Sequence, residues 1–345
     1  MRSELRDSFG RVLNYLRVSV TDRCNLRCIY CMPPEGVEWK SHDSILSFEE
    51  IIRLVKIMAA LGVRHVKVTG GEPLLRIIQR SSSGKGKPSL IRELKEIEGI
   101  EKVTLTTNGL LLEEYLDGAE KYGWQLPDGI NISMDALDNE RYQKITRLAL
   151  KNNFTNLSHL CASIKTSSLI NRLLEKKVTV KINCVPLRGV NEEEIVPLAE
   201  LARDKNIIVR FIELMPIGTA VSYQCVPGGE AAERITKKFG ALTPADDVKG
   251  SGPAAYYSLS GFTGKIGFIN AVTHSFCESC NRLRLTSEGF LKLCLSNNSG
   301  VNLRELLRGG ASDAELSNVI TEAAVKKPRS NNFSEQSEGM SKIGG

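Results

Sequence analysis

The chain has 345 residues, 41% hydrophobic and 25% charged, enough for one barrel-sized unit plus a smaller module. No apolar run approaches the length of a membrane span, so a soluble protein with no membrane partner is expected. The formal charge of +6 comes from scattered rather than blocked basic residues, which suits an anionic small molecule as well as nucleic acid and decides neither.

In chain order, strands are expected at 15–20, 65–69, 103–107, 130–133, 178–185 and 208–213. Helices are expected at 47–61, opened by the capping box Ser47-Phe48-Glu49-Glu50, then at 90–98, 113–122 and 193–205. Such alternation implies βα units around a parallel sheet. After Met215 the pattern changes: residues 218–264 are rich in Gly, Ala, Pro and Ser, and a helix-rich end follows at 303–307 and 314–325. The expected organisation is a barrel unit over 1–217, a C-terminal module over 218–325 and a flexible tail over 326–345 ending in Gly344-Gly345.

The strands alternate in an informative way. Arg17 and Ser19, Lys67 and Thr69, Thr104 and Thr106, Asn131 and Ser133, and Lys181 and Asn183 fall on one face, and apolar neighbours fall on the other. A closed eight-stranded barrel fills its interior with branched apolar side chains. Six strands with a polar concave face suggest instead an α/β fold: an incomplete TIM-like (β/α)6 barrel lining a wet, charged cavity. An antiparallel sheet with one solvated face is the alternative, which the helical crossovers weaken.

Six of the nine cysteines form two triplets, Cys24, Cys28 and Cys31 after the first strand, and Cys277, Cys280 and Cys294 near the end. A structural zinc site closes with four protein ligands, and a fully ligated iron-sulfur cube takes four cysteines. Three thiolates leave one metal position open for chemistry. A zinc knuckle or chance clustering is the bland reading. Cys161, Cys184 and Cys225 lack partner spacing and read as small buried hydrophobes. This cysteine usage, with no secretory or Arg- and Ser-rich targeting segment visible, suggests a reducing compartment, cytoplasm or mitochondrial matrix.

The run Cys24-Asn25-Leu26-Arg27-Cys28-Ile29-Tyr30-Cys31 resembles the cluster motif of radical S-adenosylmethionine (SAM) enzymes, and Thr69-Gly70-Gly71-Glu72-Pro73 resembles their GGE motif. Adjacent glycines after a strand let the backbone approach a ligand closely. More narrowly, the chain resembles the GTP 3',8-cyclase family of molybdenum cofactor biosynthesis. The matching residues are Asp7-Ser8-Phe9-Gly10-Arg11, the run 15–33, Thr106-Thr107-Asn108-Gly109, Asn131-Ile132-Ser133-Met134-Asp135, Val180-Lys181-Ile182-Asn183, Arg210-Phe211-Ile212-Glu213-Leu214-Met215, the block from Cys277 through Arg284 to Cys294, and Gly344-Gly345.

That resemblance implies two 4Fe-4S clusters and SAM. The first cluster, on Cys24, Cys28 and Cys31, cleaves SAM to a 5'-deoxyadenosyl radical; the second, on Cys277, Cys280 and Cys294, binds the guanine edge through its open iron. The radical removes the 3' hydrogen of GTP ribose, and the ribose carbon closes on C8 to give (8S)-3',8-cyclo-7,8-dihydroguanosine 5'-triphosphate. By the same resemblance Arg17, Lys67, Thr106, Lys181, Arg210, Arg282 and Arg284 serve GTP. Tyr30, Gly71, Glu72, Asn108, Ser133 and Met215 serve SAM, and Gly344-Gly345 threads into the active site. The implied partners are a cyclic pyranopterin monophosphate synthase downstream, an electron donor of unknown identity and a second copy in a homodimer. Nucleic acid is disfavoured because the basic residues converge on the cavity. A radical SAM peptide-modifying enzyme with an auxiliary cluster, or an inactive iron-sulfur relative, are the alternatives.

The chain departs from the family pattern at Lys67, where arginine is usual and the guanidinium fork is lost. Residues 77–89 read as a loop replacing the run into the next helix. Residues 148–177, Ser- and Thr-rich with weak periodicity, resemble an unusual insertion or translated noncoding sequence and predict an imperfect barrel between the fourth and fifth strands. Residues 216–229 also look altered.

Overall fold

The computed structural model describes residues 4–38, 40–82, 90–148, 160–161, 164, 168–246, 252–333 and 343. Six parallel strands pair in chain order: β1 (Tyr15–Ser19), β2 (His65–Thr69), β3 (Lys102–Thr107), β4 (Gly129–Ser133), β5 (Thr179–Cys184) and β6 (Ile208–Ile212). Helical crossovers between them include Phe48–Ala60, Pro73–Ser82, Leu112–Tyr122 and Asn139–Thr146. Ser47 caps the first, and its hydroxyl and the Glu50 carboxylate satisfy each other's backbone N–H as the capping box requires.

One side of every strand is apolar. Val18, Val68, Leu105, Ile132, Ile182 and Val209 are fully buried and meet helix residues such as Ile51, Leu54 and Met58. The other side is polar and its residues lie in lateral rows. Arg17 is level with Lys67, Lys67 with Thr104, Asn131 with Lys181, and Asn183 with Arg210. Because strand side chains alternate with a period of two, residues level across parallel strands share a face.

No strand is assigned after residue 217 from the sequence, yet the described residues there contribute six: β7 (Thr243–Pro244), β8 (Ala255–Ser258), β9 (Lys265–Ile269), β10 (Arg282–Leu285), β11 (Phe290–Lys292) and β12 (Gly300–Asn302). Each is short, and the Gly-, Pro- and Ser-rich sequence around them masks any periodicity. They join the barrel sheet from both sides. β9 adds parallel to β6, and β10 adds parallel to β1, so eight parallel strands line the cavity in the order β10-β1-β2-β3-β4-β5-β6-β9. The antiparallel pieces β11-β12 and β8-β7 flank them. Helices Leu303–Arg308 and Asp313–Val325 fall where expected.

Three expectations change. The run read as a loop from 77 begins inside helix Pro73–Ser82; residues 83–89 lie outside the described residues. Part of the passage 148–177 is ordinary core: Leu160, Cys161, Ile164, Leu169, Ile170 and Leu173 are buried, the last three on helix Ser168–Glu175. The barrel beside it is intact, with β4 and β5 in register from Gly129↔Thr179 to Ser133↔Asn183. The tail expected to be flexible from 326 is fastened through residue 333. Lys327 is 2% exposed, and its ammonium donates to the carbonyls of Arg282 (2.9 Å) and Leu293. Ile343 is also buried, whereas Gly344 and Gly345 lie outside the described residues.

Ile170→Ala is expected to destabilise the protein by about 2–5 kcal/mol, as large-to-small core substitutions do. Anaerobic denaturant unfolding checks this; a loss below about 0.5 kcal/mol, typical of surface sites, would show that this helix does not carry core packing.

Candidate functional site

A cavity of about 380 Å³ runs through the concave side of the sheet, lined by both cysteine triplets. Strand direction separates them. Cys24, Cys28 and Cys31 follow the C-terminal end of β1, where catalytic loops of parallel barrels sit. Cys277 and Cys280 precede β10, which is parallel to β1 with Arg282 level with Tyr15, so they lie at the other end of the cavity. Cys294 follows β11, antiparallel to β10, and arrives at that same end.

Between the triplets lies a ring of cations. Arg17, Lys67, Lys181, Arg210, Arg282 and Arg284 all line the cavity, with Thr106 among them. Arg210 is held rigidly: its Nη2 donates to Asn131 Oδ1 and Asn183 Oδ1, both at 2.7 Å. The Lys181 ammonium donates to Tyr256 Oη at 3.2 Å and lies 5.3 Å from that ring's centre. Arg282 stacks over Phe276 at 4.5 Å and reaches the Cys280 sulfur at 3.6 Å. The Arg17 Nε is buried without a partner.

Burial leaves four of these cations reluctant to be charged. Burial, more than neighbouring cations, pulls Lys181 down to about 7 and Arg17 down to about 10; Lys67 and Arg284 are also well below their ordinary values, burial first and neighbouring cations second. The two acidic groups on the wall do little to offset them. Asp135 accepts from Tyr30 Oη (2.5 Å) and Val185 N (2.8 Å). Glu213 is bound by Thr273 and the backbone of Val272 and Gly228, tying down the loop that leads to the second triplet. A polyanion is the ligand this ring demands.

At the first triplet, burial pushes the Cys24 and Cys31 thiols up to about 11 and about 12, and raises Cys28 as well. Thiols so raised give up their protons to a strong Lewis acid such as iron. The donor set fits a cluster: three sulfurs on one cavity wall, with Leu26 N donating to Cys24 Sγ at 3.4 Å and Asn108 Nδ2 at 4.0 Å. At the second, burial alone would raise Cys280, but Arg282 and Lys327 bring it down to about 7.

Of the residues expected to serve SAM, Tyr30, Gly71, Asn108, Ser133 and Met215 line the cavity. Glu72 does not. It is fully buried behind the wall, where its carboxylate accepts from Thr107 Oγ1 (2.8 Å), Asn108 N (2.7 Å) and Leu74 N (3.0 Å), joining the loops after β2 and β3. The glycine pair also serves a different partner from the one expected. A Cβ on Gly71 would stand 2.3 Å from the Arg23 carbonyl, and one on Gly70 2.6 Å from that of Thr21, so the pair first admits the backbone of the cysteine loop. Tyr256, Phe276 and Lys327 escaped sequence reasoning. Only the aromatic pair Tyr256-Tyr257 in a Gly- and Ser-rich stretch offered a signal.

The Radical SAM superfamily profile matches residues 18–202, and the Molybdenum Cofactor Synthesis C profile matches residues 207–333. The crystal structure of Streptococcus suis SuiB bound to precursor peptide SuiA superposes with a TM-score of 0.53 at 15% identity, covering 92% of this chain and 71% of that one, which is a likeness of fold. The class is thus a radical SAM enzyme, with the 4Fe-4S cluster and SAM that this superfamily uses. GTP 3',8-cyclase of Clostridium perfringens (strain 13 / Type A) is 40% identical over 346 residues, 99% of this chain and 100% of that protein. That of Pelotomaculum thermopropionicum is 41% identical over 347 residues, with the same coverage of each chain. The chain belongs to the GTP 3',8-cyclase family. No described helix is long and apolar enough to cross a membrane.

Burial pushes the Glu72 carboxyl up to about 7, against the three hydrogen bonds that pull it down. Between its unfolded value of about 4.3 and that point the folded protein keeps a proton that the unfolded chain releases, so this group favours folding less as pH rises through the window. Glu72→Gln removes the slope and adds a constant loss, since a carboxamide cannot accept from all three donors. Thermal melts from about pH 5 to about pH 7 should show wild type losing its advantage over the variant as pH rises. Parallel profiles would overturn this.

Proposed function

We propose that the chain converts GTP to (8S)-3',8-cyclo-7,8-dihydroguanosine 5'-triphosphate, the first step of molybdenum cofactor biosynthesis, inside this cavity. The observation that carries the reading is one cavity with a cysteine triplet at each end and a ring of cations between. Cys24, Cys28 and Cys31 would hold the SAM cluster, and Cys277, Cys280 and Cys294 a second 4Fe-4S cluster that meets the substrate. When bound, the first cluster and SAM supply the hydrogen-abstracting radical.

This chain's own residues position the reactants. Arg17, Lys67, Lys181, Arg210, Arg282 and Arg284 hold GTP, with the guanidinium forks suited to bidentate phosphate contact and Thr106 as a hydrogen-bonding partner. Tyr30, Gly71, Asn108, Ser133 and Met215 hold SAM, and Glu72 keeps Asn108 in place from behind. Substrate spanning the cavity presents its ribose to the SAM end while its other groups stay fixed. That restraint matters because a misplaced radical would react with protein. The product then passes to a cyclic pyranopterin monophosphate synthase, and a reductant supplies the electrons.

An anaerobic assay of iron-reconstituted protein with SAM, GTP and a strong reductant tests the whole reading. 5'-Deoxyadenosine and cyclised nucleotide should form together. Cys24→Ala should abolish both, whereas Cys294→Ala should abolish only the nucleotide product; 5'-deoxyadenosine without any cyclised product from wild type would sink the assignment of GTP.

GTP binding should also be accompanied by proton uptake. Lys181, held near 7, is mostly neutral at about pH 8, and a triphosphate beside it restores its charge. Titration calorimetry in buffers of different ionisation heat should show uptake that is smaller in Lys181→Met. Equal uptake in the two proteins would exclude Lys181 from the phosphate site.

A further inference from the structure

The motif Asp7-Ser8-Phe9-Gly10-Arg11 lies outside the cavity lining. Its geometry is tightly specified. One Asp7 carboxylate oxygen accepts the N–H groups of Phe9 (2.9 Å) and Arg11 (3.0 Å), and the other takes Arg11 Nε at 2.5 Å. Gly10 turns the chain at φ +80°, where a side chain would be strained. Both charged side chains are buried, Asp7 at 0% and Arg11 at 8% exposure.

The rest of the guanidinium points at the far end of the chain. Nη1 donates to the Cys277 carbonyl at 2.7 Å and the Arg329 carbonyl at 3.1 Å, and Nη2 to the Pro328 carbonyl at 2.6 Å. A single arginine thus joins the backbone of a second-triplet cysteine to the segment 327–333. That segment in turn touches the triplet. Asn331 N donates to Cys277 Sγ at 3.2 Å, and Asn332 N to Ser296 Oγ at 3.0 Å, which lies 3.4 Å from Cys294 Sγ. The Lys327 ammonium acts on both Cys280 and Cys294.

We propose that Asp7 and Arg11 form a clasp that holds residues 327–333 as a strap across the second cysteine triplet, and that the strap positions those sulfurs for the group they bind. This rests on the reading that the triplet holds an iron-sulfur cluster. The clasp needs a planar fork: Nε is committed to Asp7 while two further nitrogens serve three carbonyls, which one ammonium cannot do. Hydrogen bonds to the sulfurs of a cluster help set its reduction potential, and an N–H on Cys277 favours the more negative, reduced form.

The test compares wild type, Arg11→Lys, Arg11→Gln and Asn331→Pro, each reconstituted anaerobically. Amide exchange read by mass spectrometry should accelerate at least about tenfold over residues 327–333 in both Arg11 variants, with the barrel strands unchanged as the control for folding. The midpoint potential of the second cluster, followed by electron paramagnetic resonance, should fall in both Arg11 variants. It should fall also in Asn331→Pro, which removes the N–H and leaves the clasp residues in place. Unchanged exchange in both Arg11 variants overturns the clasp; faster exchange with an unchanged potential overturns the strap's action on the sulfurs. Iron content separates the underlying reading. About eight irons per wild-type chain supports two cubes, whereas about four overturns the second cluster while the exchange arm still decides the clasp.

Discussion

Burial of six cationic side chains along one wall of a barrel cavity is the constraint around which this molecule is organised. Lys67, Lys181, Arg17 and Arg284 all sit below their ordinary proton affinity, and the carboxylates on the wall are occupied by Tyr30, Val185, Thr273 and nearby backbone. Taking such charge out of water costs stability, so the scaffold beneath has to be strong. It is. The opposite face of the same strands is a continuous apolar core of Val, Leu and Ile packed on helices. A polyanion placed among the cations would offset that cost.

The wall also fixes the direction of each cation. Arg210 cannot swing away, since Asn131 and Asn183 hold its guanidinium from neighbouring strands. Lys181 rests on Tyr256, from a strand that the chain reaches much later. This preorganisation is worth more than added affinity: the donors stand where charge will arrive and need no rearrangement when it does. The loops at the C-terminal strand ends are fixed in the same spirit. Glu72 locks the loop bearing Asn108 to the one bearing Gly71, and the glycine pair lets the cysteine loop press against it.

Much of this was legible because it rests on period-two alternation and local spacing. The six strands fall within a residue or two of expectation, and Arg17, Lys67 and Lys181 line the cavity as their parity predicts. What escaped is non-local. Strands β9 and β10 take their place from the edges of a sheet already formed, which no local pattern encodes. Glu72 was expected at SAM from its motif; its burial behind the cavity wall, holding the loops after β2 and β3 together, is something no spacing reveals. The passage around Leu169, Ile170 and Leu173 looked irregular because Ser and Thr surround a short apolar stripe, yet three buried side chains suffice to seat the helix.

Chain topology explains why the second triplet needs the ends of the molecule. Six parallel strands leave two open edges, at β1 and β6, with unpaired backbone groups that favour pairing. The C-terminal segment supplies β9 to one edge and β10 to the other, so it has to pass from one edge to the other. Cys277 and Cys280 lie on that crossing, in a loop between the strands added at the two edges, held by little regular structure of its own. A loop so placed would be the least rigid part of a site that demands fixed ligands. Glu213 anchors its approach through Val272 and Thr273. Arg11 grips its Cys277 carbonyl from the N-terminal turn, and Lys327 braces Arg282 just beyond it. The order needed at that end of the cavity therefore comes from residues far apart in sequence, and the crossing that closes the barrel is what calls for them.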